Sequence, residues 1–295
     1  MKGIIIANKI RETSLFPLNI QLSKYFMPIY DKPMIYYPLS LLMSAGINDV
    51  LIITANEEIE TYMSLFGNGD RLGISISYSI NDSTDIREII IDHAEFIGQE
   101  CVAVVEGDMI LTGPGLKEKL SEAVDRAENG ITTLFSCYIE TPNHYDVHVF
   151  NDDGIIKLIN EQSLQSESSN CLVGMIFYDY NMVSCIKMLD VVNNYICSLI
   201  DLYSICLKKN ELYVDFLDYE YYCITISNPD ILHDTTMYIW QQEKYQHRKI
   251  ACIEEISLFN GWISFQEVDD MSSAYLNIQY GEYLQNLVRG KYLSE

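Results

Sequence analysis

Short apolar runs alternate with amphipathic stretches through the first part of the chain. Gly3–Ala7 and Asp49–Thr54 are almost wholly apolar, which predicts strands buried on both faces. Between them, Met34, Tyr37, Leu41 and Leu42 fall on one face of a helix predicted over 33–44. Asn56–Phe66 reads as a second helix, with Asn56 as its N-cap and Glu57 and Glu58 in the first turn. A strand over Ile74–Ile80, a helix over Ile86–Phe96 and a strand over Val102–Val105 follow, the last ending in Glu106-Gly107-Asp108. Repeated strand–helix–strand units of this kind predict an α/β fold with a doubly wound, mostly parallel, Rossmann-like sheet.

The pattern changes near residue 132. Thr132–Tyr138, Val147–Asn151, Ile155–Ile159, Leu172–Tyr178, Glu211–Phe216 and Tyr222–Ile226 read as strands with few helices between them. Turn signals such as Asp152-Asp153-Gly154 separate them. From His233 onward the periodicity is helical, with one helix over Tyr238–Arg248 and another over Asn277–Arg289. The expectation is one domain over 1–295, made of a first half (1–131), an inserted mixed β region (132–232) and C-terminal helices (233–295). No repeat or low-complexity linker divides it.

Composition narrows the function classes. The 42 acidic residues outnumber the 19 basic ones, for a net charge of −23. Such a surface repels nucleic acid and anionic membranes, so neither is expected as a partner. No apolar run approaches the roughly 20 residues of a membrane span, and the apolar part of the N-terminus is too short for a signal peptide. The eight cysteines contain no C-x-x-C pair and lie mostly in apolar runs. They read as buried free thiols of a cytoplasmic protein, not as a disulfide framework or zinc site.

The segment Pro28–Ser40, PIYDKPMIYYPLS, carries the strongest local signal. Together with Met1–Ile5, Ser23-Lys24, Leu41–Ile53, Glu95–Gly98, Gly107-Asp108, Val173-Gly174, Phe177–Asp179, Cys252–Ile256 and Gly261–Ile263, it resembles the bacterial sugar-1-phosphate nucleotidylyltransferases, the glucose-1-phosphate thymidylyltransferases in particular. The resemblance spans nearly the whole chain and implies a nucleotidyltransferase fold. On it, 1–131 is the nucleotide-binding-like half and 132–232 the sugar-phosphate-binding-like half.

Carried over position by position, the resemblance implies a thinned site. The family's glycine-rich phosphate loop is replaced by Asn8–Pro17, with no glycine, Ser14 at the place of the catalytic Arg, and Glu12 where a triphosphate would lie. Arg11 is a candidate substitute for that Arg, against an ordinary strand-to-loop connection. Lys24 stands at a phosphate-contacting lysine, or else is a solvated surface lysine. Asn81 shortens the glutamine that reads the thymine edge, while Asp85 and Glu88 replace a Gly and a Gln near the base and sugar. Of the two aspartates that hold Mg²⁺ in the family, Asp108 matches the first and Thr225 falls at the second. On the sugar side Asp146 fills a Gly position, Gln162 replaces a phosphate-binding Lys, and Glu161, Gly174 and Asp201 match.

Other groupings are weaker. His144, Asp146 and His148 alternate and could hold a metal or form an exposed polar strand face. Glu106 and Asp108 would share a strand face, as an acid–base pair or as a metal ligand with a neighbour. The tyrosine clusters at Tyr36-Tyr37 and Tyr219–Tyr222 suit packing or subunit contacts. The expected function is a pseudoenzyme with a binding, regulatory or scaffolding role, the alternative an active enzyme with a rebuilt phosphate loop. The expected cofactor is none, or Mg²⁺ if the enzyme is active. The expected partners are further copies or an active relative, with a nucleotide or sugar phosphate as ligand.

Overall fold

The computed structural model describes residues 1–8, 15–83, 85–139, 147–150, 156–159, 169–192, 199–275 and 278–290. The first half contains β1 (Lys2–Ala7), a one-turn 3-10 helix at Lys24–Phe26, β2 (Pro28–Ile29), β3 (Lys32–Pro33), α1 (Tyr36–Ser44), β4 (Asp49–Thr54) and α2 (Ile59–Phe66). It continues through β5 (Ser75–Ile80), α3 (Ile86–Asp92), α4 (Ala94–Ile97), β6 (Val102–Glu106), β7 (Met109–Thr112) and α5 (Leu116–Glu128). Then come β8 (Thr132–Ile139), β9 (Val147–Phe150), β10 (Ile156–Ile159), β11 (Ser169–Tyr178), α6 (Tyr180–Val192), α7 (Leu199–Lys208), β12 (Leu212–Leu217) and β13 (Tyr222–Thr225). Four helices close the chain: α8 (Pro229–Gln246), α9 (Ile253–Phe259), α10 (Phe265–Ser273) and α11 (Gln279–Val288).

A seven-stranded sheet runs in the order β12-β8-β11-β6-β1-β4-β5, with every neighbouring pair parallel except the two made by β11. The isoleucine run of β1 follows from its central place. Ile5, Val50, Ile52, Ala103 and Val105 face a core capped by α1, α2 and α5. Ile4, Ile6, Leu51, Ile53 and Val104 face a second core under α3, α6 and α7. Successive side chains of one strand thus serve opposite layers, so both must be apolar. This is the doubly wound arrangement expected from the sequence.

Several boundaries differ from the expectation. Pro33 lies in the small β2–β3 hairpin, so the helix begins at Tyr36. Asn56–Glu58 forms a turn, and the N-cap of α2 is Glu58, with no side-chain cap. The helix expected over 86–96 breaks at His93, whose ring bonds the Ile89 carbonyl and the Ser79 hydroxyl, each at 2.8 Å. Helices α5, α6 and α7 were not anticipated. The second core shows why α6 and α7 form: Met182, Val183 and Ile186 recur at helical spacing, as do Leu202, Tyr203 and Cys206.

The C-terminal helices are tied back by charge. Lys32 of the hairpin donates to Glu243 of α8 at 2.8 Å, and Lys249 donates to the same carboxylate at 3.0 Å. Asp31 bonds both lysines. Burial alone would lower the Lys249 pKa, but its bonds to Asp31 and Glu243 outweigh that and raise it. Farther along, Tyr280 donates to Glu254 at 2.5 Å and Tyr283 to Glu255 at 2.7 Å, fastening α11 to α9.

Candidate functional site

In a parallel sheet, ligands bind beyond the carboxyl ends of the strands. Here β1, β4, β5 and β6 run parallel and end together, at Ala7, Thr54, Ile80 and Glu106. Asn8 follows β1 directly. Its buried amide donates to the carbonyls of Asn81 (2.8 Å) and Ser83 (2.5 Å), pinning the loop after β5 to the end of β1.

Beyond β6 the chain turns sharply. Gly107 donates to the Ile6 carbonyl at 2.8 Å, and a Cβ there would lie 2.9 Å from both Ala7 and Tyr25. Only glycine lets the backbone pass so close to β1. The turn delivers Asp108, which is 3% exposed, to Lys24, which is 1% exposed. The Lys24 ammonium donates to Asp108 Oδ2 at 2.6 Å and lies 5.4 Å from the centre of the Tyr25 ring. Lys24 is therefore no solvated surface lysine.

Glu106 and Asp108 do not share a strand face as expected, because the strand ends at Glu106. Asp108 turns to Lys24, while Glu106 lies against Gly174 of β11. A Cβ on Gly174 would come within 2.9 Å of the Glu106 carboxylate, so the absence of a side chain at Gly174 makes room for Glu106.

The ribbon of β7 and β13 completes this side. Thr225 pairs with Met109, and Ile226 donates its backbone N–H to the Asp108 carbonyl at 3.3 Å. The position implied for a second metal-holding aspartate thus does fall beside Asp108. It holds a threonine between two isoleucines. Among the described residues no three His, Cys, Asp or Glu side chains group as a metal site. One carboxylate already bonded to an ammonium, with a threonine at the position implied for the second aspartate, fits Mg²⁺ poorly as the family would hold it.

At the end of β5, Asn81 accepts from the Ser83 N–H (2.7 Å) and donates to Asp92 of α3 (2.8 Å), so both ends of its amide are engaged by the loop and the helix that follows it. Asp85 caps α3, accepting from the Arg87 N–H at 2.8 Å and pairing with the Arg87 guanidinium. The hydrogen bonds from Arg87 hold the Asp85 carboxyl below the usual range. Glu88 accepts from the Ser83 hydroxyl at 2.5 Å. Sequence reasoning placed Asp85 and Glu88 at the base pocket but missed that they knit the loop into α3. The signal was available: an Asp followed by a helical run is a capping pattern.

Arg11, Glu12, Ser14, His144, Tyr145, Asp146, Glu161 and Gln162 lie outside the described residues. His148 stands on β9 opposite Leu158, and Asp201 lies on α7.

A doubly wound, mostly parallel sheet with a buried Lys24–Asp108 pair at its carboxyl ends defines an α/β protein of the Rossmann-like class. A sequence model of the nucleotidyl transferase family matches residues 11–243, and the chain belongs to that family. The glucose-1-phosphate thymidylyltransferase of Neisseria meningitidis serogroup A is 34% identical, covering 98% of this chain and 100% of that protein. The one from Mycobacterium tuberculosis is 30% identical, covering 98% and 99%. A solved Bacillus anthracis protein described as a glucose-1-phosphate thymidylyltransferase, in complex with sucrose, superposes with a TM-score of 0.66 at 22% identity, covering 81% of this chain and 94% of that one. Among the described residues no helix is long and apolar enough to cross a membrane.

Proposed function

We propose that this chain is a catalytically degenerate sugar-1-phosphate nucleotidylyltransferase homologue. In this reading it acts by binding, as a regulatory or scaffolding protein that pairs with its own copies or with an active relative. One observation carries the proposal: β7 pairs with β13 so that Thr225, the residue that the resemblance implies at the second aspartate position, stands opposite Met109, next in the chain to Asp108. A divalent cation that must bridge two anionic substrates then meets a single carboxylate, bonded to Lys24. The capped start of α3 supports the same reading, because Asp85 puts a carboxylate where the family has a glycine. Nucleotide-sugar metabolism is the setting suggested by the relatives, which are glucose-1-phosphate thymidylyltransferases.

A second reading, an active enzyme making a nucleoside-diphosphate sugar with Mg²⁺, is favoured by Lys24 and Asp108 themselves. Both charged groups are present and in contact. Pyrophosphate release separates the two. The assay uses purified protein, Mg²⁺, a panel of nucleoside triphosphates and several sugar 1-phosphates. No release above the protein-free background is expected. Metal-dependent turnover that Asp108→Ala abolishes would establish the active enzyme instead.

A further inference from the structure

We propose that Asn8 is a latch, holding the chain at Asn81 and Ser83 shut over the carboxyl ends of β1 and β4, so that the protein's own backbone closes the crevice to a nucleotide. The inference rests on the reading of this crevice as a nucleotide site and is independent of whether that site is catalytic.

Strands β1 and β5 are not neighbours, because β4 lies between them. Two strand spacings, about 10 Å, exceed the reach of an asparagine side chain and one hydrogen bond. Asn8 nevertheless donates to the carbonyls of Asn81 (2.8 Å) and Ser83 (2.5 Å), which follow β5. The chain leaving β5 therefore leans back across the end of β4. There the Asn81 N–H donates to the Thr54 carbonyl at 3.3 Å. Ala7, Asn8, Thr54 and Ala55 are all buried, although they stand at the strand ends where a parallel sheet receives its ligands.

The closed form carries a cost of its own. Both amide hydrogens of Asn8 go to carbonyls, which fixes the amide's orientation, since the reverse would set its oxygen against two others. Asn8 Oδ1 is left buried without a hydrogen-bond partner. Such an unmade bond destabilises the closed form and is relieved when water reaches the amide on opening. On the other side Asn81 bonds Asp92 and Ser83 bonds Glu88, both on α3, and parting the latch leaves these bonds intact. A parted latch exposes an amide donor on one side and two carbonyl acceptors on the other. A nucleobase edge carries carbonyl and N–H groups side by side, so it can satisfy both halves.

The test compares the intact wild type with Asn8→Ala, which lacks both latch bonds. Hydrogen exchange at the Asn81 N–H should quicken by about tenfold or more. Exchange at the Arg87 N–H, held by the Asp85 cap of α3, should stay as it was. Calorimetry with ATP, CTP, GTP, UTP and thymidine triphosphate reads the consequence. At least one should bind the variant about tenfold more tightly, because the wild type's affinity is reduced by the fraction of molecules that are open. Asn8→Asp keeps the shape but turns a carboxylate on the two carbonyls. It should give the same quickening, and serves if alanine disturbs the fold. Unchanged exchange at Asn81 would overturn the latch. So would triphosphate binding that is equal or weaker in Asn8→Ala, or absent from both proteins. Pyrophosphate release, which decides whether the enzyme is degenerate, is a separate readout.

Discussion

Among the described residues, the buried lysine–carboxylate pairs fall in two places, and these differ in what surrounds them. Lys32 and Glu243 sit between the β2–β3 hairpin and α8, inside a cluster completed by Asp31, Lys249 and the backbone N–H of Ile250. Aromatic rings close over it, with Tyr280 within 6 Å of both ammonium groups. Lys24 and Asp108 sit at the carboxyl edge of the sheet, between a one-turn helix and the end of β6. The first pair joins elements far apart in the chain, and each charge meets several partners. The second occupies the place that the proposed function assigns to a ligand's phosphate and metal. One charge cluster ties the hairpin to the C-terminal helices, while on the proposed reading the other fills a former binding site with the protein's own groups. A burial value alone does not distinguish them.

The sharpest way to break this comparison is Glu243→Ala. It leaves two buried ammonium groups and a backbone N–H without their shared acceptor. Removing one member of a buried charge pair typically costs about 3–5 kcal/mol, and the upper end is expected here because three bonds are lost. Urea unfolding measures it. A loss below about 1 kcal/mol would mean that the cluster is not structural.

Lys24→Met should cost less, about 1–3 kcal/mol. Asp108 loses a single ammonium bond, whereas Glu243→Ala breaks three. The double variant Lys24→Met/Asp108→Leu should recover most of the loss, because an apolar pair of similar shape removes the uncompensated charge. If Lys24→Met proved as costly as Glu243→Ala, both pairs would be structural and the distinction would fail.

The structural side of this comparison was more legible in the sequence than the site. Asp49–Thr54 was bounded correctly because a strand buried on both faces announces itself as an unbroken apolar run. Helix α5 escaped notice although Leu120, Ala123 and Ala127 recur at helical spacing. The Lys32–Glu243 cluster could not be read at all, since it depends on charges more than 200 residues apart with no local pattern. In the candidate site, Asp108 and Lys24 are singled out by the resemblance alone, and their mutual bond requires the sharp turn at Gly107. The closeness of Thr225 to Asp108 depends on a pairing between β7 and β13 that no local periodicity encodes.

The smallest effect should come from Glu58, which sharpens the comparison by adding a buried carboxylate without a lysine. Glu58 precedes α2 and is buried, and its Oε2 has no hydrogen-bond partner among the described residues. Burial raises its pKa, the Ser23 hydroxyl partly offsets this, and the nearby Glu57 adds to the rise. The sign follows from linkage. Below the ordinary glutamate pKa both folded and unfolded chains are protonated there, and the group costs nothing. As pH climbs through the raised folded value, the unfolded chain releases its proton first, so native stability falls, and it levels off once the native group is ionised too. Glu58→Gln removes that penalty. It should match the wild type near about pH 4 and exceed it by about 1 kcal/mol well above the folded pKa. Urea unfolding at both ends of the range measures the difference. A gain that is the same at both would place the benefit in packing, and a loss at high pH would mean that Glu58 has a cationic partner after all.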